Sequence, residues 1–94
     1  MRVELLAAAH ADIGDVERFI TDDSPDAARR VVLGLIERME GLADTPHVGR
    51  PGRWPNTREL VVPPYVIPYR VRGETVEILR VVHSAREWPD RPAA

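Results

Sequence analysis

Residues 22–25, Asp-Asp-Ser-Pro, interrupt one amphipathic helical pattern and begin a second. Serine before proline is a strong start signal. The Ser24 hydroxyl can accept a hydrogen bond from the first helical turn, and Pro25 has no N–H to leave unsatisfied there. Because the break is so short, the two helices are predicted to form a hairpin.

The first helical pattern covers roughly residues 8–22. Its apolar positions recur at spacings of four, three and four residues, with Phe19 beside them, so one face is predicted to be buried. Charged residues fall on the other face. The apolar positions are Ala9, Ile13, Val16 and Ile20, and the charged positions are Asp12, Asp15, Glu17 and Arg18.

The second helical pattern runs from Pro25 to about Asp44. Gly34 lies inside it, where glycine costs about 1 kcal/mol relative to alanine, which suggests close approach of the first helix or of a partner. The apolar stripe consists of Ala28, Val31, Val32, Leu35, Ile36, Met39 and Leu42.

Strand-like patterns flank the helices, at residues 2–6 before them and at 57–62, 65–71 and 75–83 after a proline- and glycine-rich loop, 46–57. Pro63-Pro64 and the turn Arg72-Gly73-Glu74 separate the last three. Pro68 cannot donate to a ladder, so a bulge or an open edge is expected there. In the last strand, Val76, Ile78, Arg80 and Val82 are predicted on one face and Leu79 and Val81 on the other.

The resulting order is β-α-α-β-β-β, which predicts one α+β domain over residues 1–94. An N-terminal strand and the helical hairpin precede a three-stranded antiparallel meander. The compact arrangement is an antiparallel sheet with the hairpin packed on one face.

Composition narrows the class of protein. The chain has no cysteine, which excludes disulfides and thiolate sites. The first residues contain too short an apolar run for a signal peptide or a spanning helix, so we expect a soluble cytoplasmic protein without a membrane partner. The net charge of -2 argues against strong phosphate-backbone binding. Residues 1–48 hold 5 arginines and 10 acids, whereas residues 49–94 hold 8 and 5.

Several familiar sites are absent from the sequence. The three histidines lack zinc-site spacing, and no metal or other cofactor is expected. The stretch 49–53, Gly-Arg-Pro-Gly-Arg, lacks the Gly-Lys-Ser/Thr ending of a phosphate-binding loop. His83 and Ser84 are adjacent on a strand and therefore point to opposite faces, which excludes a catalytic dyad.

Arginine and tryptophan in the second half form the main candidate site, and they could converge at one end of the sheet. Guanidinium groups beside indoles suit phosphates, carboxylates or a protein hot spot. The alternative is a solvated rim with salt bridges to Glu59, Glu77 and Glu87. The candidates are Arg50, Arg53, Arg58, Arg80 and Arg86, together with Trp54, His83 and Trp88.

Six short segments follow one another over nearly the whole chain: Ala9 to Ile13, Ser24-Pro25 with Ala27-Ala28, Gly49-Arg50-Pro51, Thr57-Arg58-Glu59-Leu60, Tyr65-Val66-Ile67 with Tyr69-Arg70-Val71, and Ile78-Leu79-Arg80-Val81 leading to His83 and Arg86. Taken together and in this order, they resemble the ParE branch of the RelE/ParE toxin superfamily.

The resemblance implies the toxin of a type II toxin-antitoxin pair, with plasmid stabilisation as an associated role. A ParD-like or similar antitoxin would wrap the toxin in a hetero-oligomer. ParE-type members are proposed to inhibit DNA gyrase by protein contact, without chemistry or sequence-specific nucleic-acid binding of their own. On this reading the target-binding set is Arg50, Arg53, Trp54, Arg58, His83, Arg86 and Trp88.

RelE-type members instead cut messenger RNA on the ribosome. Glu59 stands where such a nuclease would carry lysine, and Val66 and Ser84 stand where it would carry arginine. The nuclease alternative would use His83 with Arg58 or Arg86, or with Arg50, as acid/base and phosphate clamp.

Overall fold

The computed structural model describes residues 1–86, 88 and 89. It confirms the α+β class and the predicted order of strand, helical hairpin and further strands, with the last predicted strand divided in two. The elements are β1 (Arg2–Leu5), α1 (Ala7–Thr21), α2 (Pro25–Glu40), a 3₁₀ turn (Gly41–Ala43), β2 (Arg50–Pro51), β3 (Arg58–Val62), β4 (Tyr65–Arg72), β5 (Thr75–Ile78) and β6 (Val82–His83).

The sheet has the order β1-β5-β4-β3-β2, and β6 pairs with β4 beyond the end of β5. Strands β3, β4 and β5 form the predicted antiparallel meander. The expectation of a wholly antiparallel sheet is wrong, because β1 pairs with β5 in parallel. The helical hairpin and strands β2 to β4 lie between β1 and β5 in the chain, so the long connection that a parallel neighbour requires is present.

The hairpin begins its second helix as predicted, with the Ser24 hydroxyl accepting a hydrogen bond of 3.2 Å from the Ala27 N–H. Gly34 does not serve close approach of α1, since a Cβ built there would meet no atom within 4 Å. Of the two explanations for this glycine, approach of the first helix is therefore wrong.

The core lies between the hairpin and one face of the sheet. Alternate residues of β4, Tyr65, Ile67 and Tyr69, point into it, as alternation along a strand requires. Helices contribute Ala9, Leu35 and Met39, and the remaining buried members are Leu42, Leu60, Val76, Ile78 and Val81.

A β-bulge opposite Pro68 confirms the expected irregularity. Tyr69 pairs with Ile78 and Val66 with Val82, so residues 67–68 of β4 face residues 79–81. The extra residue reverses the alternation. Val81 therefore joins the core cluster with Val76 and Ile78, whereas Val82, although buried, lies outside that cluster, which corrects the predicted faces of this strand.

Candidate functional site

The predicted arginine and tryptophan set divides over separate places. His83 lies opposite Tyr65 and Arg58 lies opposite Tyr69. These positions are four residue steps apart along β4, which is about 13 Å at a rise of about 3.3 Å per residue. The expected convergence at one end of the sheet is therefore only partial.

Arg50 and Arg53 bind Glu59, which side-chain alternation places on the sheet face away from the helices, and Trp88 joins them by contacting Arg53 and Trp54. We call Arg50, Arg53, Trp54, Glu59 and Trp88 the Glu59 cluster. The Glu59 carboxylate is 5% exposed and accepts a hydrogen bond of 3.0 Å from Arg50 Nε and one of 2.9 Å from the Arg53 main-chain N–H. Arg50 is thus paired, as the salt-bridge alternative expected.

Trp88 joins the C-terminal segment to this cluster. Its ring meets Trp54 edge-on, with centroids 5.5 Å apart and planes at 67°. The Arg53 guanidinium carbon stands 3.7 Å from the Trp88 ring centroid, which is cation–π geometry. Trp54 itself is buried. Glu87, the other carboxylate considered for this rim, lies outside the described residues.

His83 and Arg86 are brought together at a pocket of about 270 Å³ between α1 and the end of the sheet. His83 Nδ1 accepts a hydrogen bond of 3.1 Å from the Ala85 N–H, which leaves Nε2 as the other ring nitrogen for a partner. The His83 ring meets Tyr65 edge-on at 5.5 Å. Phe19, on the same pocket, is 66% exposed although the sequence placed it beside the buried face.

Asp12 is a residue that the sequence prediction misplaced, because it is buried and not on the polar face of α1. It accepts hydrogen bonds of 2.7 and 2.9 Å from Arg80 Nε and Nη2 and one of 2.8 Å from the Val81 N–H. The hydrogen bond to Asp12 raises the pKa of Arg80. Its spacing of three from Ala9 and four from Val16 was the available signal.

Arg58 points to the loop before β2. Its Nη1 donates to the carbonyl oxygens of His47 and Gly49, at 3.2 and 2.8 Å. Beside it, the Tyr69 hydroxyl accepts from the Gly49 N–H at 2.9 Å and donates to the Pro46 carbonyl at 2.8 Å. Burial raises the pKa of Tyr69, against smaller opposing effects of Gly49 and Arg58.

These arrangements have different chemical capacities. The His83 pocket offers an imidazole, a phenol and an exposed guanidinium beside the carboxylates of Asp12 and Asp15, a set that can bind a charged group or exchange a proton. The Glu59 cluster buries a carboxylate and neutralises it. Within residues 1–86, 88 and 89, no group of three or more His, Asp or Glu side chains could hold a metal ion. In the same residues, no helix is long and apolar enough to cross a membrane.

Known proteins match this chain over most of its length. Residues 3–88 match the family described as the ParE toxin of type II toxin-antitoxin system, parDE. A Sinorhizobium fredii protein named as a toxin is 42% identical over 90 residues, covering 94% of this chain and 93% of its own. Toxin RelE2 of Caulobacter vibrioides is 40% identical over 78 residues, covering 83% and 89%.

Solved structures agree. The chromosomal ParDE toxin-antitoxin system from P. aeruginosa contains a chain with a TM-score of 0.79 and 26% identity, covering 88% of this chain and 95% of that one. The Mycobacterium tuberculosis toxin-antitoxin complex RelBE2 gives a TM-score of 0.67 and 27% identity, covering 87% and 95%. Sequence and fold together place this chain in the ParE toxin family, as the toxin of a type II toxin-antitoxin system.

Proposed function

We propose that this toxin acts in the cytoplasm by inhibiting DNA gyrase through protein contact and that a cognate antitoxin neutralises it. The observation that carries the proposal is the buried carboxylate of Glu59. A nuclease needs preorganised cations where phosphate charge develops. Here the face away from the helices carries the buried Glu59 carboxylate, and the neighbouring Arg50 is already paired with that carboxylate.

The paired arginines strengthen this reading. Arg80 is held by Asp12, and Arg70 donates to Glu77 at 2.6 Å. An arginine bound to an internal carboxylate must lose that partner before it can clamp a phosphate. The cations nearest the middle of the sheet are thus occupied by internal acids.

The proposed target surface includes the C-terminal end of the described chain. Arg86 is exposed, and among residues 1–86, 88 and 89 no carboxylate lies within 4.0 Å of its side chain. Exposed arginine and partly covered tryptophan are favoured at protein hot spots. His83, Arg86 and Trp88 are the proposed centre, with Arg50, Arg53, Trp54 and Arg58 as the wider set.

The proposed antitoxin is ParD-like or similar and carries an amphipathic segment with acidic residues. The basic second half of the chain motivates the acidic part, since complementary charge steers association. A complex whose affinity does not change with salt concentration would contradict that electrostatic contribution.

A ribosome-dependent endoribonuclease is the second candidate. The observation favouring it is the His83 pocket, where an imidazole, Tyr65 and Arg86 line one cavity. Such a set could supply an acid/base and a phosphate contact. It would have to work without the cations that Glu59 and Asp12 neutralise.

The test is pulse-labelling of DNA and protein synthesis directly after inducing the chain alone in a bacterial host. Early failure of DNA synthesis with strand breaks is expected. If protein synthesis stops first and cleaved transcripts disappear with His83→Ala, the nuclease replaces the gyrase proposal.

Arg86→Ala should reduce toxicity without weakening antitoxin binding, whereas the exposed control Arg72→Ala should change neither. Unchanged toxicity of Arg86→Ala would remove Arg86 from the target surface.

A further inference from the structure

A second concave surface lies beside Arg58, where the loop before β3 leaves the sheet. We call it the Arg58 cleft, and its volume is about 340 Å³. His47, Asn56 and Val71 line it together with Arg58 and Arg70. It is separate from both the Glu59 cluster and the His83 pocket.

The charge of Arg58 is not balanced inside the described part of the molecule. Its Nη1 group is held by two loop carbonyls, and among residues 1–86, 88 and 89 no carboxylate lies within 4.0 Å of the guanidinium. Arg70, on the same cleft, is neutralised by Glu77. Arg58 is only partly exposed, so hydration satisfies its cation incompletely. A guanidinium in this position favours an oxyanion that can accept two parallel N–H bonds.

The cleft also contains one strand-edge residue, Val71, whose main-chain groups face away from β5 beyond the start of β3. Strand β3 begins at Arg58, whose partner is Tyr69, whereas β4 continues to Arg72. Main-chain groups on a strand alternate between its two neighbours. Pro68 uses its carbonyl toward the β5 side, accepting from the Leu79 N–H at 2.9 Å. Val71 is three positions further on and therefore directs its N–H and C=O to the β3 side, where β3 is absent.

We propose that the Arg58 cleft binds an acidic residue of an extended peptide segment in a protein partner. The segment's main chain pairs with Val71 and its carboxylate meets Arg58. Strand addition supplies affinity that does not depend on sequence, and the side-chain contact supplies selectivity. A nucleic-acid phosphate chain fits less well, because the cleft offers a single arginine without a carboxylate partner among the described residues and the chain has a net charge of -2. Arg58 also belongs to the wider proposed target set, but the peptide test below measures the cleft directly and gives the same result whichever cellular target the toxin has.

The test is a ¹H–¹⁵N NMR titration of the full-length chain with a capped Val-Glu-Val tripeptide. The Val71 amide and the Arg58 Nε–H are expected to shift together. The matched Val-Gln-Val tripeptide should bind about tenfold more weakly, because a charge-assisted hydrogen bond is replaced by a neutral one. Equal affinities of the two peptides would overturn carboxylate recognition. An unmoved Val71 amide would overturn strand pairing.

Two further arms separate the alternatives. Inorganic phosphate at equal ionic strength is expected to bind more weakly than the Val-Glu-Val peptide. If phosphate instead saturates the Arg58 signal without shifting the Val71 amide, the cleft is a phosphate site and the peptide proposal fails. Arg58→Gln should abolish the preference for Glu over Gln, whereas the exposed control Arg72→Gln should retain it. If Arg58→Gln shifts the Gly49 amide, and so disturbs the loop, Arg58→Lys replaces it. With Arg58→Lys, the preference for the Glu peptide over the Gln peptide is expected to fall several-fold. An unchanged preference would overturn the role of Arg58.

Discussion

Asp12 and Arg80, 68 positions apart in the chain, join helix α1 to the β-bulge through hydrogen bonds of 2.7 and 2.9 Å. The same carboxylate accepts the Val81 N–H, so three donors converge on one buried acid. The bulge sets the direction in which the chain enters β6. Asp12 therefore fixes where His83 stands relative to helix α1.

Asp12→Ala is expected to lower the free energy of unfolding by about 2–4 kcal/mol, since removing one partner leaves a largely buried charge and an N–H unsatisfied. Urea unfolding monitored by circular dichroism measures this change. The matched control is Arg18→Ala, which breaks the exposed pair with Asp15 and should leave the midpoint nearly unchanged. Similar midpoints for both variants would contradict the structural role of Asp12.

Substitution of glycine by alanine is expected to have opposite effects on stability at Gly49 and at Gly34. A Cβ at Gly49 would stand 2.6 Å from the Tyr69 hydroxyl oxygen and 2.9 Å from the Glu59 carbonyl oxygen. Gly49→Ala should cost about 1–3 kcal/mol of stability, because the core cannot yield without moving backbone. Gly34→Ala has free space and should gain about 0.5–1 kcal/mol. Thermal unfolding of both variants gives the comparison, and a loss at Gly34 would contradict it.

The buried Tyr69 hydroxyl is expected to make the protein less stable in alkaline solution. Burial raises its pKa above the ordinary value of 10.0. Above pH 10 the unfolded chain therefore releases the Tyr69 proton while the folded chain retains it, and stability falls as pH rises toward the folded pKa. Below pH 10 the protonated Tyr69 hydroxyl makes its full contribution to the free energy of unfolding.

The control for this effect is Tyr69→Phe. It should be less stable near pH 8 by about 1–3 kcal/mol, because the Gly49 N–H and the Pro46 carbonyl lose their partner. Its stability should also fall less between pH 9 and 11 than that of the parent chain. Parallel pH curves for the two proteins would assign the alkaline loss to other groups.

Local signals made the helical hairpin and the order of elements predictable. Ser24 and Pro25 determine a helix start within a few residues, and Pro63-Pro64 separates two strands, so neither depends on distant contacts. Pro68 indicated a bulge for the same reason. It could not indicate that the extra residue lies on the opposing strand, at 79–81, because that depends on pairing between strands.

The candidate site was less predictable, since it depends on that pairing. Arg58 and His83 were expected together because they stand at strand ends of the predicted sheet, but the actual pairing places them about 13 Å apart along β4. Asp12 was assigned to the polar face of α1 together with the other charged residues of that helix, and such residues are rarely buried unless they are paired. Its partner, Arg80, lies too far along the chain for helical periodicity to reveal.

The contacts of Trp88 are expected to stabilise the protein and to shield Trp54 from solvent. Trp88→Ala should cost about 1–2 kcal/mol, because it removes the edge-on contact with Trp54 and the cation–π contact with Arg53. Only Trp54 then remains as a tryptophan fluorophore. Its quenching by acrylamide should increase, since Trp88 covers one side of it. Trp88→Phe keeps a ring at this position and should recover most of the protection; equal quenching in the two variants would contradict ring-on-ring packing at Trp54.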